Sequence, residues 1–201
     1  ASGTPLPAGG VDNTLVQNCV FSGSHHEGLY IGHGASVSNF MVSACVFNNN
    51  RNGIGISGGT TVVDNLTIKD SVLSDNDDHG LYLKGATLND LLIQDTDFMD
   101  NEDEGIHLDG PSVAPFTIEG GTIENNAMGM VIKGNATLGA LTLDNVTVQN
   151  NRESGVILGW GASATALIVQ NSLFQGNAWE EIDISGGWFG AFSVSGATSI
   201  T

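Results

Sequence analysis

Apolar residues recur along this chain in fixed columns, not in helical stripes. One column runs Val16, Val42, Ile68, Ile93, Ile118, Leu143, Val169 and Val194. A second lies two positions earlier at Phe40, Leu66, Leu91, Phe116, Leu141, Leu167 and Phe192. Five residues after the first column come Phe21, Phe47, Leu73, Phe98, Ile123, Val148 and Phe174. A last pair of columns follows, from Leu29 and Ile31 through Leu81 and Leu83 to Ile182 and Ile184. Within each segment the apolar residues are two apart, the period of a strand with one buried face. No segment sustains a spacing of three to four, so no helix is expected within the repeats.

The columns return about every 25 residues, and a fixed period of this size marks a solenoid. Each copy holds three short strands separated by turns. Stacking every strand on its counterpart in the previous coil gives three parallel sheets around one apolar core, with coils ~4.8 Å apart. The turns agree. Asn50, Asn76, Asn101, Asn126, Asn151 and Asn177 fall in one column, from which only Ser24 departs. Asparagine tolerates unusual backbone angles, and a stacked amide can donate to the next carbonyl. Gly28, Gly53, Gly80, Gly105, Gly129 and Gly155 form another column, read as a sharp bend before the third strand. Glu181 breaks it in the last copy, where regular stacking is expected to end.

The stretches Ser172–Asn177 (S-x-F-x-x-N) and Gly53–Ile56 (G-I-x-I) carry a resemblance to the right-handed parallel β-helix proteins of the pectin-lyase-like superfamily. It covers roughly residues 13–194. The implied fold is an all-β, right-handed parallel β-helix of about seven to eight coils of three short strands. Residues 13–201 then form one domain, and residues 1–12 a lead-in segment or incomplete first coil. The resemblance implies polysaccharide lysis, hydrolysis or epimerisation as common activities, with adhesins and tailspikes as other members. Fold alone does not fix which.

Charge narrows the partners. Twenty-two acidic residues against five basic ones give a net charge of −17. Nucleic acid is disfavoured, because a polyphosphate needs clustered Lys and Arg. Acidic polysaccharides are repelled too, unless a divalent cation bridges. No apolar run approaches the ~18 residues that a membrane span takes, so no membrane insertion is expected. Such acidity suits a secreted or cell-surface setting. With neither a signal peptide nor an initiating Met, the chain reads as a mature or excised piece, with self-association or a larger parent chain as further partners. Cys19 and Cys45 share an inward column in adjacent coils and read as stacked thiols; a disulfide there would demand specific geometry.

Candidate chemistry concentrates in the third and fourth coils. The residue between the two inward positions of the third strand points outward, and gives Tyr30, Tyr82 and His107 in their copies. Two positions on stand Lys84 and Asp109, and the preceding turn adds His79. Tyr82, His107, His79, Lys84 and Asp109 are the candidate catalytic set. A base removes a proton beside a carboxylate, a second group returns one, and a cation neutralises the developing charge, as a polysaccharide lyase or epimerase requires. The D-P-H motif of alginate epimerases is absent, and a solvated acidic face with incidental aromatics is the competing reading. Asp77, Asp78, Glu102, Asp103 and Glu104 stack on the same turn. They either hold Ca²⁺, which takes six to eight oxygens, or splay into water; a transition-metal site centred on His79 is a lesser alternative. Trp160, Trp179 and Trp188 cluster late in the chain. Tyr30, Trp160 and Trp188 are the candidate sugar-stacking rings, although the tryptophans equally suit a cap on the open end of the solenoid. The functional expectation is an extracellular module that binds or modifies a polysaccharide. The alternative is a non-catalytic adhesive or spacer solenoid of a larger surface protein.

Overall fold

The computed structural model describes residues 10–159 and 161–201. Among them the chain forms three parallel sheets and no helix. The first sheet is built from the long strands, beginning with Val11–Gln17, Ser36–Ser43 and Val62–Lys69. The second takes three-residue strands such as Val46–Asn48, Val72–Ser74 and Asp97–Met99. The third contains Glu27–Gly32, Asn52–Ser57, Leu81–Lys84, Glu104–Asp109 and Met128–Lys133. Every strand pairs with its copy one coil away, so each sheet runs in sequence order along the axis.

The register is the one the columns predict. Leu66, Leu91, Phe116 and Leu141 stand in line across four coils, as do Leu73, Phe98 and Ile123 in the second sheet. Like side chains therefore stack on like, and Phe21 and Phe47 lie 4.8 Å apart and nearly parallel. The core lies inside the coil, where Phe47, Phe98, Phe116 and Phe174 are fully enclosed. In-register burial of this kind is the main stabilising term, at about 25 cal/mol per Å² of apolar surface removed from water.

Two turn readings need correction. The asparagine column is a ladder, but its members do not take the unusual backbone angles. The left-handed residue is the one before, at Asn49, Asp75, Asp100, Asn125 and Asn150 (φ 53–58°), with Gly23 and Gly176 in the same place. The ladder asparagines instead sit buried inside the corner. Asn101 Nδ2 donates to Leu73 O (3.1 Å) and to Asn126 Oδ1 (2.9 Å). Its Oδ1 accepts from the Asn76 amide (3.2 Å) and from Asn76 Nδ2 (2.9 Å).

The glycine column is not a bend either. None of Gly28, Gly53, Gly80, Gly105, Gly129 and Gly155 has a positive φ. What glycine supplies is closeness. A Cβ on Gly80 would lie 2.6 Å from Gly105 O and 3.0 Å from Phe98, with Asn101 Nδ2 at 3.2 Å. The column lets the backbone of one coil settle against the ladder of the next.

Cys19 and Cys45 are both free. Their thiols stand where other coils carry Ser71, Thr96 and Ser172, whose hydroxyls bond the carbonyl two residues back. Cys45 Sγ faces Ser43 O at 3.2 Å in the same way.

At the amino end, Val11 and Asp12 pair with Val37 and Ser38 in the first sheet. Residues 1–9 of the lead-in segment lie outside the described residues. In the last coil Trp188, Phe192, Val194 and Ile200 are exposed.

Candidate functional site

The third sheet carries the chemistry, and two neighbouring columns build it. The outward strand column is Tyr30, Gly55, Tyr82, His107 and Val131, in register from coil to coil. The column three residues earlier is Glu27, Asn52, His79, Glu104 and Met128, each the first strand residue except His79, which stands just before its strand. These side chains lie back over the outward column. A Cβ on Gly55 would run into the Glu27 side chain. Asn52 Nδ2 donates to Glu27 Oε1 at 3.3 Å, and Asn52 Oδ1 accepts from the His79 amide at 3.2 Å.

In the third and fourth coils this arrangement joins four side chains. Glu104 Oε2 lies 2.8 Å from His79 Nδ1 and 3.0 Å from His107 Nδ1. The two imidazoles have centroids 4.4 Å apart, and Tyr82 packs on both, at 5.1 Å from His79 and 5.4 Å from His107. His107 and Glu104 are each only 5% exposed. The sequence places Tyr82 and His107 side by side, and they are. The open face expected for His107 is not found, because Glu104 and His79 cover it.

Burial pushes the Glu104 carboxyl up, but the two imidazoles against it, His107 more than His79, outweigh that and hold it below the usual carboxylate range. The glutamate is therefore an anion sealed between two aromatic nitrogens. Lys84 and Asp109 form the far edge of the patch, 3.5 Å apart and partly exposed. The Tyr82 hydroxyl, and then Asp109, raise Lys84 above its ordinary value.

The five stacked acids do not act as one group. Asp78 accepts from Arg51 Nε at 2.7 Å, while Asp77, Glu102 and Asp103 stand on the turn surface. Glu104 alone turns inward. Among the described residues, the set of His, Cys, Asp or Glu side chains converging closely enough for one ion is His79, Glu104 and His107. Residue type alone puts Glu104 with the acids and the histidines with the proton-transfer set. The signal that regroups them is the column: His79 and Glu104 directly precede the glycines, one coil apart, and three residues before Tyr82 and His107.

The aromatic candidates are dispersed. Tyr30 is 41% exposed, lies over Gly32 and bonds Ser57 Oγ at 2.8 Å. Tyr82 stands two coils further along the same column. Trp188 is 64% exposed, but it belongs to the first sheet, where it pairs with Ser163. It is not part of the surface that holds Tyr30. Trp160 lies outside the described residues.

The profile of the right-handed β-helix region matches residues 8–192, so the chain belongs to that family. No curated protein matches the sequence. Among solved structures, a trypsin-treated form of QnrB1, described as a plasmid-mediated fluoroquinolone resistance protein, is 13% identical. The alignment covers 88% of this chain and 91% of that one, with a TM-score of 0.23. HetL, described as a pentapeptide repeat protein involved in heterocyst differentiation regulation, from the cyanobacterium Nostoc, is 10% identical. Its alignment covers 90% of this chain and 86% of HetL, at a TM-score of 0.18. At such scores neither likeness bears on what this chain does.

Proposed function

We propose that the chain is a pectin-lyase-like β-helix module that binds a neutral polysaccharide on the third sheet, in a secreted or cell-surface setting. The observation that carries this reading is the strip formed by Tyr30, Ser57, Tyr82, Lys84 and Asp109. It runs along the solenoid axis, with two partly exposed aromatic rings two coils, or about 10 Å, apart. Aromatic faces and paired polar groups suit sugar rings, which present apolar faces and equatorial hydroxyls. The charge of −17 favours a neutral polymer over a uronate chain.

The burial of His107 and Glu104 supports binding without turnover. A general base must come within hydrogen-bond reach of the proton it removes, and a polymer lying on this face meets Tyr82, Lys84 and Asp109 first. Affinity electrophoresis against neutral and uronic-acid polysaccharides tests the proposal. Retardation by a neutral polymer is expected, weakened at least ~10-fold in Kd by Tyr82→Ala with Tyr30→Ala, and without unsaturated sugar ends. Lyase products that vanish in His107→Ala would restore the catalytic reading. No retardation by any glycan would leave the adhesive or spacer solenoid as the function.

A further inference from the structure

The geometry points to a metal site that the sugar reading does not use: we propose that His79, Glu104 and His107 bind one divalent transition-metal ion, with Zn²⁺ or Co²⁺ as its probe. The three side chains come from two adjacent coils and meet beneath the Tyr82 ring. Their candidate ligand atoms all lie within 4.8 Å of one another.

The contacts inside the cluster are those of ligands sharing an ion. Bonds of ~2.0–2.2 Å from zinc to nitrogen and oxygen place two donors about 2.9 Å apart at a right angle and about 3.4 Å apart at a tetrahedral one. Glu104 Oε2 stands 2.8 and 3.0 Å from the two Nδ1 atoms. Two donors on a tetrahedral ion stand about 3.4 Å apart, so the widest separation, up to 4.8 Å, closes by up to about 1.4 Å on binding.

A second observation is independent of distance. Both Nδ1 atoms are shut off from solvent, and neither has a hydrogen-bond partner in acceptable alignment. Glu104 Oε2 is near each nitrogen but off its N–H direction. Each nitrogen has the Glu104 carboxylate beside it but no aligned hydrogen bond, an arrangement that a shared ligand would satisfy better. A cation accepts both nitrogen lone pairs and the carboxylate charge at once.

The donor set selects the class of ion. Imidazole suits Zn, Cu, Fe and Ni, whereas calcium takes six to eight oxygens and only Glu104 supplies a carboxylate here. Three protein donors leave at least one coordination position for water. Val131 and Met128 of the next coil close one flank, and Asn52 and Gly55 the other.

The test uses the whole chain, stripped with chelator and titrated with ZnCl₂ by calorimetry and with CoCl₂ by visible absorption. One equivalent is expected to bind, with cobalt d–d bands of a low-symmetry nitrogen–oxygen site. Glu104→Gln, His79→Asn and His107→Asn should each weaken binding at least ~100-fold, since even outer-shell changes cost 10–100-fold. The double variant His25→Ala, His26→Ala removes the other paired histidines and should bind like the parent. If His107→Asn fails to fold, the near-isosteric Glu104→Gln decides the matter alone. Absence of zinc and cobalt binding would overturn the site. So would binding that survives Glu104→Gln, binding lost in the His25/His26 variant, or occupancy by calcium but not zinc.

Discussion

Replacing Asn101 with alanine is expected to lower the unfolding free energy by about 3–5 kcal/mol. The side chain is fully buried and makes four hydrogen bonds. Its loss strands the Asn76 amide and removes a partner from Leu73 O, and it leaves Asn76 Nδ2 with only Phe47 O, in a corner that water does not reach. Each unpaired buried group costs about 1–3 kcal/mol, although relaxation shares part of that cost. Urea denaturation reads the total as a lower midpoint at unchanged slope. Hydrogen exchange locates it, because the Asn76 amide should lose protection before amides two coils away. A midpoint within error of the parent would mean that the ladder is not a structural element. In a solenoid each coil contacts only its neighbours, so the damage should stay local at first.

Gly80→Ala should destabilise by about 3 kcal/mol, although nothing in its backbone angles forbids alanine. Glycine to alanine at a negative φ ordinarily stabilises by about 0.4–1 kcal/mol through the unfolded chain. Here the added methyl meets a backbone carbonyl, Gly105 O, at 2.6 Å, and no rotamer change moves it away. Two coils must part, which stretches the third sheet and the ladder beside it. Gly59 is the matched control. It is exposed, has no positive φ, and its nearest neighbour to a new Cβ is Gly85 O at 4.0 Å. Gly59→Ala should leave stability unchanged or slightly raised. Equal effects at the two positions would refute the close-approach account of the glycine column.

The difference between the two glycines shows where reading the sequence stops. The column containing Gly80 is plain in the alignment of the copies, and so is its importance. Its reason is not. A bend and a close approach both demand glycine, and only the distance from one coil to the next tells them apart. The asparagines behave alike. Asn49 and Asn50 sit side by side in sequence, yet one carries the left-handed backbone and the other the buried amide. Residue type does not distinguish those tasks; the path of the corner does.

The candidate site divides in the same way. Tyr82 and His107 are legible as neighbours, because equal columns in adjacent coils are brought together by the strand spacing. Glu104 reads in the sequence as one of five turn acids, beside Asp77, Asp78, Glu102 and Asp103. It parts from them because it is the first residue of the strand Glu104–Asp109, and the pleat sends it back over His107, while Asp77, Glu102 and Asp103 face water and Asp78 pairs with Arg51.

Periodicity alone settles the repeat, the three strands per coil, the absence of helix from the repeats, the stacking register and the asparagine ladder. A period of about 25 residues with apolar positions two apart leaves few other ways to bury the apolar face. Which outward residues are open and which are sealed is a property of the stacked coils. Stacking keeps Trp188 on a different sheet from Tyr30 and closes His107 under Glu104. It also joins His79 to Glu104 and His107, which lie a full coil further along the chain. Exposure depends on what the next coil lays on top, and a pattern of polar letters carries no record of that.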